Sequence, residues 1–485
     1  MIKSWRPAFF AGLLLRLVLP WYGHGFRYMD EHWQVIEPAN HLVHPAWPWS
    51  ITTEWRDGLR SWIYPWLVSL PMRLAEALGM NDALNIVSFT RMLHGLLAAV
   101  AIPLVYLSVD KLTARRSKKS ALLAAWMVAL WPFAIYCGFH TQGDMIGALF
   151  VLCGACAPML LKKESHAYLA AGFAFGIALA LKIDLAVAGL GFGIWQLLGG
   201  GMKRALWLVA GVAPLVALVG FVDFVTWGTW FHSVTAHARA NLVEGVGNQW
   251  GVMPWYGHVL YFFDITSAPA LLAAAALPFF WSALSKQLRA VWFMNIFFVA
   301  VFCAIPHKEK RFLAPLLYTA IVAAFATLAV ARARVSKATL RWLVPAAIGL
   351  FAVHFATNAV TYLVRRPWWD RLEAIHTAGL APGIEKMFSP QWPAIFYLSR
   401  TVPSEAIGAE RETIRAKTKG LKSFSVATDW KDLSPFTELG FRCAAWPAGT
   451  PDLKSNAVDA EPNGSAAASV QDPVPRALLC TLANQ

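Results

Sequence analysis

The sequence predicts an all-α polytopic membrane protein of about 11 transmembrane helices, followed by a small extracytoplasmic C-terminal region. Three observations carry that expectation. Of 485 residues, 57% are hydrophobic and only 14% are charged, whereas a soluble domain carries about 25% charge. Apolar runs recur at roughly the 17–25 residues that cross a bilayer as a helix, and mean hydropathy is +0.48. The basic residues gather in short connections between those runs, where orientation and anchoring account for them. The net charge of +14 therefore does not indicate a nucleic-acid partner.

In chain order the expected spans are 8–22, 84–109, 121–138, 145–161, 166–181, 184–199, 205–223, 257–282, 290–306, 312–330 and 342–360. Residues 8–22 follow Lys3 and Arg6 much as in a signal peptide, but no convincing small-residue cleavage site follows, so the first run reads as an uncleaved span. The connections fall into two classes. One is short and basic: Lys111, Arg115, Arg116, Lys118 and Lys119; Lys162 and Lys163; Lys203 and Arg204; Lys286 and Arg289; Arg332, Arg334, Lys337 and Arg341. With Lys3 and Arg6 these are 17 cations against Asp110 and Glu164, which places this side, and the N-terminus, in the cytoplasm. The other class contains 23–83, the turn His140 to Asp144, Lys182 with Asp184, 224–256, 307–311 and everything after 361, and is extracytoplasmic. Residues 61–80 contest this topology, because counting them as a span inverts every later loop. Pro65 and Pro71 interrupt the run and Arg73 and Glu76 lie near its end, so it reads as a helix on the membrane surface.

The domain reading is 1–360 as the transmembrane domain, with 23–83 as the active-site loop, and 361–485 as a partly disordered periplasmic or luminal region. In that tail, 393–400 and 421–428 are candidate strands, and the Ala-, Pro- and Ser-rich stretch 453–477 reads as loose. Cys443 and Cys480 are a candidate disulfide if the tail is extracytoplasmic. Cys137, Cys153, Cys156 and Cys303 read as small core residues.

Two charged strings at the ends of apolar runs are the candidate chemistry. Asp30, Glu31 and Glu37 lie where the first span emerges, and acids in a membrane-associated fold are costly unless paired or functional. One of Asp30 and Glu31 would be the base and its neighbour an orienting group; the bland reading is a helix N-terminal charge pair. Glu54, Trp55 and Arg56 form a second polar knot, with Arg60 nearby and Trp55 also readable as an interfacial anchor. Asp144 either binds substrate or starts a helix, and Lys182 either holds an anionic head group or pairs with Asp184. In the loop after 223, Asn241, Trp255 and Tyr256 suit a wet groove, where aromatics stack on sugar and amides bond hydroxyls. The sharpest cluster is His307, Lys308, Glu309, Lys310 and Arg311: cations on the outer face explained by a lipid phosphate, with anionic-lipid anchoring as the alternative. No phosphate-binding glycine loop and no zinc-protease spacing occurs.

These strings resemble those of the GT-C glycosyltransferases, in particular the family 22 alpha-mannosyltransferases that build GPI anchors and dolichol-linked oligosaccharides. The matching residues are Asp30-Glu31-x-x-Gln34-x-x-Glu37, Thr53-Glu54-Trp55, Arg60-Ser61 with Tyr64-Pro65, Asn241 through Gly251 to Pro254-Trp255-Tyr256, and His307-Lys308-Glu309-x-Arg311-Phe312, over 8–360. The resemblance implies an inverting transferase that takes a hexose from a polyprenyl-phosphate sugar donor to a glycan or glycolipid acceptor. It puts the catalytic acid on Asp30 or Glu31, with an extracytoplasmic site. The chain departs from the family at His140-Thr141-Gln142-Gly143-Asp144 and at Lys182, where arginine is common. Its compactness points to a bacterial member in the inner membrane. No cofactor is required, since fixed cations serve the phosphate, though Asp30, Glu31 and Asp144 leave a divalent ion open. The alternatives are transfer of another sugar, such as aminoarabinose, to lipid A or protein, or a transporter or flippase of lipid-linked sugars. A transporter wants polar groups along a full path, whereas these crowd one face.

Overall fold

The computed structural model describes residues 5–22, 25–47, 49, 51–115, 117–364, 369–389, 404–406, 410–428, 434–445 and 476–482. The chain forms two compact units. The first comprises 1–20, 57–64 and 91–364, and the second comprises 21–56, 65–90 and 365–485.

A helix covers each of the eleven expected spans, and they differ in whether one helix is by itself long and apolar enough for a full-length span. Among the described residues eight qualify: Ala83–Leu112, Gly143–Leu160, Glu164–Leu181, Met202–Trp227, Gly257–Ala283, Lys286–Cys303, Lys310–Arg332 and Lys337–Val364. Lys118–Leu130 and Pro132–Phe139 form a ninth if the 58° bend between them lies within one span. The protein is thus a multi-pass membrane protein, with eight or nine such helices among the described residues. The shortfall is one of length: Arg6–Val18 has 13 residues and Ile183–Leu198 has 16, or about 20 and 24 Å against a hydrocarbon core of about 30 Å.

The first unit owes its shape to breaks at proline and to a buried arginine. Pro132 has no N–H, so the carbonyl of Val128 loses its helical partner. Arg16, fully buried on the first helix, supplies the donors instead: Nη2 bonds Val128 O at 2.8 Å and Ala134 O at 3.0 Å, and Nη1 bonds Gly12 O at 3.0 Å and Ala129 O at 3.3 Å. A charge at this depth is costly unless paired or hydrogen-bonded, and backbone acceptors meet that need. The helix Gly257–Phe280 breaks at Ser267, whose φ is +64°, ahead of Pro269. Trp131 Nε1 donates to the Ile265 carbonyl at this break (2.7 Å).

In the second unit, residues 31–36 form one wide π turn that runs into the helix Glu37–Val43. The expected surface helix is Ile63–Ala77, at 15 residues too short to span alone. Leu67, Leu70, Leu74 and Leu78 are exposed in a row at helical spacing, while Glu76 bonds His44 Nε2 at 2.8 Å and Arg73 Nη2 donates to the Leu42 carbonyl.

The tail holds a five-stranded mixed sheet, so α-only architecture applies to the membrane part. Its strands are β1 Lys386–Ser389, β2 Ser404–Ala406, β3 Ser423–Thr428, β4 Phe441–Ala445 and β5 Arg476–Leu482, in the order β2-β1-β3-β5-β4. β2, β1 and β3 are parallel; β5 runs antiparallel to β3 and β4. Phe388, Phe424, Phe436 and Phe441 pack its core, and the Cys443–Cys480 disulfide joins directly paired residues of β4 and β5. β3 coincides with the expected strand at 421–428. The expected strand at 393–400 and the loose stretch up to 475 lie outside the described residues. His376 of the helix Trp369–Gly379 bonds Asp82 at 2.6 Å, tying the tail to the connection that precedes Ala83.

Candidate active site

In the second unit the first-loop acids occupy distinct environments. Asp30 is half-buried at the start of the π turn, whereas Glu31 and Glu37 are fully buried. Glu37 Oε1 lies 3.1 Å from His32 Nε2, and the Phe26 ring stacks on His32. Gln34 is half-buried in the same turn. Trp55 is buried and donates through Nε1 to the Trp33 carbonyl at 3.1 Å, so it fastens the short helix Thr53–Arg56, which carries the half-buried Glu54, to the π turn. Its structural part is that of a strut rather than an interfacial anchor.

In the first unit the string 307–312 divides its charges among separate partners. Glu309 receives two N–H groups from Arg311, Nε at 2.6 Å and Nη2 at 3.0 Å, and lies 3.0 Å from His307 Nε2. His307 Nδ1 lies 2.8 Å from the Gly251 carbonyl, which can only accept. A carboxylate held by arginine also only accepts, so both ring nitrogens carry protons and His307 is an imidazolium. The Glu309 hydrogen bond raises the His307 pKa against the opposing effect of burial. Burial acts to raise the Glu309 carboxyl, but the Arg311 charge and the hydrogen bonds from His307 and Arg311 outweigh it and hold it well below the usual carboxylate range.

Lys308 departs from its expected role on the phosphate. It is buried, and its ammonium donates to the carbonyls of Cys303 (3.0 Å) and Ile305, satisfying acceptors at the C-terminal end of Lys286–Cys303. Burial lowers its pKa. Lys310 bonds Asp264 at 2.8 Å; His354 Nε2 bonds the other oxygen of Asp264 at 2.8 Å, and its Nδ1 meets Ser267 Oγ at 3.1 Å. Sequence reasoning missed Asp264 and His354. The available signal was an acid and a histidine inside two apolar runs.

A second network gathers around Lys182. Its ammonium donates to Asp144 at 3.0 Å and lies 3.9 Å from Asp184 and 5.4 Å from the centre of the Phe312 ring. Asp184 Oδ1 bonds His237 Nε2 at 3.0 Å, and Asn241 Nδ2 donates to His237 Nδ1 (3.3 Å) and to the His237 carbonyl (3.0 Å). The Lys182 ammonium thus hydrogen-bonds Asp144 and stands beside Asp184 at the longer distance. The helix His232–Ala238 is set by buried Asp223, which accepts from Ser233 N at 2.9 Å and Ser233 Oγ at 2.6 Å. Arg60 is half-buried beside this network; its carbonyl accepts from Trp227 Nε1 at 3.2 Å and its charge acts on Asp184. Gly247 joins the two networks: a Cβ there would lie 3.5 Å from both Asn241 Oδ1 and His307 Cβ. Trp255 and Tyr256 are exposed, with edge-to-face rings 5.8 Å apart. Among the described residues no group of three or more His, Cys, Asp or Glu is placed to hold a metal ion.

GPI mannosyltransferase 3 of Drosophila melanogaster is 25% identical over 304 residues, 59% of this chain and 50% of that protein. GPI mannosyltransferase 3 of Candida albicans is 25% identical over 293 residues, 59% of this chain and 56% of that one. The chain thus spans about half the length of these relatives. In structure, ArnT from Cupriavidus metallidurans bound to undecaprenyl phosphate aligns over 98% of both chains, with TM-score 0.59 and 13% identity. The oligosaccharyltransferase AglB from Archaeoglobus fulgidus aligns over 88% of this chain and 69% of its own, with TM-score 0.51 and 14% identity. These likenesses are of fold, the GT-C arrangement. The model of the Alg9-like mannosyltransferase family matches residues 8–375, a stretch that contains the first-loop acids, the Lys182 network and the 307–312 string, and the chain belongs to that family.

Proposed function

We propose that the protein transfers a hexose, mannose by family, from a polyprenyl-phosphate donor to a glycan or glycolipid hydroxyl on the extracytoplasmic membrane face, with inversion at the anomeric carbon. The observation that carries this reading is the family match across residues 8–375, which contains both the acid pair and the His-Lys-Glu-x-Arg string. The undecaprenyl phosphate in the ArnT structure supports a polyprenyl carrier. Orientation rests on the basic loops, with the N-terminus inside. The GPI mannosyltransferase relatives named above come from a fly and a yeast.

Asp30 is the proposed base. A general base must reach the acceptor hydroxyl within hydrogen-bond distance; Asp30 is half-buried while Glu31 is sealed, so Glu31 orients. His307 and Arg311 hold the donor phosphate, where preorganised donors stabilise the charge that builds on the leaving group. Glu54, Gln34, Arg60, Asn241, Trp255 and Tyr256 bind or orient sugar and acceptor. Fixed cations serve the phosphate, so the proposed reaction calls for no metal.

The test is transfer from purified radiolabelled polyprenyl-phosphate sugars to cell-envelope glycolipids by the full-length protein. Wild type should transfer mannose, and Asp30→Asn should lose about 10²–10⁴ in turnover. Near-normal turnover in both Asp30→Asn and Glu31→Gln would remove the base assignment. Transfer of aminoarabinose but not hexose would favour the second reading, modification of lipid A or protein.

A further inference from the structure

The Lys182 network holds two ionisable residues with no part in the reaction as described, Asp184 and His237. Their hydrogen bonds can be assigned from donor and acceptor chemistry. The His237 carbonyl can only accept, so the group 3.0 Å from it on Asn241 is the amide NH₂, which fixes which way that amide points. The second N–H of the same NH₂ is directed at His237 Nδ1, 3.3 Å away, so Nδ1 is an acceptor and bears no proton. The proton of the neutral ring is then on Nε2, which donates to Asp184 Oδ1 at 3.0 Å. Asp184 accepts that hydrogen bond, and the Lys182 ammonium 3.9 Å away favours its charged form.

Both amide donors of Asn241 are thus directed at His237, and its Oδ1 lies on the side of Gly247 and His307. An oxygen in that position accepts hydrogen bonds and repels anions. It therefore does not serve the phosphate that His307 and Arg311 are placed to hold.

We propose that Asp184 and His237 form a relay that locks the Asn241 amide so that Oδ1 accepts a hydrogen bond from one hydroxyl of the transferred sugar. Asn241 is the contacting group; His237 and Asp184 are positioning residues. The anchoring is rigid for a loop: buried Asp223 caps the helix that carries His237, and Asp184 stands in a separate turn, Ile183–Leu185. The relay makes this position selective for a sugar that presents a hydroxyl there. It rests on the transferase reading above.

The experiment uses the full-length protein with polyprenyl-phosphate mannose and the corresponding 2-, 3-, 4- and 6-deoxy donors. Wild type should prefer the parent over one deoxy donor by about tenfold in kcat/KM, the worth of one neutral hydrogen bond. Asn241→Leu and Asn241→Ser should use parent and that deoxy donor equally, by losing activity on the parent only. His237→Phe should fall between wild type and these. Inhibition by sugar-free polyprenyl phosphate should be unchanged in all three, a readout that a general structural defect would move. Undiminished preference in both Asn241 variants overturns the relay, as does equal use of all donors by wild type, or weakened polyprenyl phosphate inhibition in both Asn241 variants. Transfer of no lipid-linked hexose by wild type removes the hexose-transfer reading and the relay together; active wild type with unaltered preference in the variants removes the relay alone.

Discussion

Glu309→Gln is the substitution that bears most directly on the 307–312 string. The carboxylate is the shared acceptor of Arg311 and the His307 imidazolium, and the three side chains are 15%, 7% and 10% exposed. Removing one partner of so buried a set costs about 3–5 kcal/mol. The lower end applies, because His307 can release its proton once the carboxylate has gone. A loss of about 3 kcal/mol corresponds to a fall of roughly 5 °C in the thermal midpoint of a large domain. The pH dependence has a definite sign. His307 is raised above its ordinary 6.5, so its contribution is full below that value and is lost as pH rises through the raised one. Glu309 is held below its ordinary 4.5, so its contribution is full above that value and is lost as pH falls through the depressed one. The difference between wild type and Glu309→Gln should therefore be widest between the two ordinary values and narrow toward alkaline pH, where only the Arg311–Glu309 part survives. Thermal unfolding of the detergent-solubilised protein at pH about 5.5 and about 9 measures both midpoints. Equal midpoints for the two proteins, or an offset that does not narrow at the higher pH, would refute the shared-acceptor account.

Further outcomes follow from other parts of the structure. Arg16→Leu strips donors from the carbonyls of Val128, Ala129 and Ala134, and at about 1–3 kcal/mol per unsatisfied group it should sharply lower the thermal midpoint. Arg16→Lys should recover only part, since one ammonium cannot replace the forked guanidinium; a midpoint for Arg16→Leu equal to wild type would contradict this. Cys443→Ser opens a crosslink of sequence separation 37, worth about 4 kcal/mol in the chain-entropy account; limited proteolysis should cut the variant's tail at lower temperature. His376→Ala should free the helix Trp369–Gly379 from Asp82. The His376 hydrogen bond holds the Asp82 carboxyl below its ordinary value, so in wild type the link should weaken as pH falls through the depressed value, read as faster hydrogen exchange in that helix. Equal exchange rates across that pH range would count against it.

The positions of the helices were legible because hydropathy is a local property: each apolar run became a helix within a few residues of its expected bounds. The count of full-length spans was less so. Arg6–Val18 and Ile183–Leu198 read as apolar enough, but hydropathy does not measure where a helix stops. The string 307–311 was visible as a cluster, yet its division was not. Neighbouring residues on a turn point in different directions, so Lys308 reaches back to carbonyls at 303 and 305, Lys310 reaches Asp264, and Arg311 folds onto Glu309. Those partners are up to 46 residues away (310 minus 264), and spacing along the chain carries no record of them. The sheet in the tail was foreshadowed only at 421–428, because the pairing of β3 with β5 is set by long-range register rather than by composition.

That division bears on how a phosphate would be received. Lys308 is spent on backbone and Lys310 on Asp264, so the charge left at the knot is that of His307, Arg311 and Glu309, a net of one positive charge. A polyprenyl-phosphate sugar is a phosphodiester with a single negative charge, which matches. On the proposed reaction the bond to the anomeric carbon breaks and the leaving phosphate becomes a monoester, gaining a negative charge that the knot does not balance. The imidazolium is the group able to answer this, by strengthening its hydrogen bond or passing a proton to the monoester, whose second pKa is about 6. With Asp30 as the proposed base, the acceptor's proton goes there in the same step, so the two ends of the proposed reaction exchange charge in opposite directions. A lysine at 307 would keep the positive charge but not a proton transferable near neutral pH. His307→Lys should therefore bind donor with near-normal KM and lose kcat, and loss in KM alone would show that His307 acts on binding rather than on departure of the phosphate.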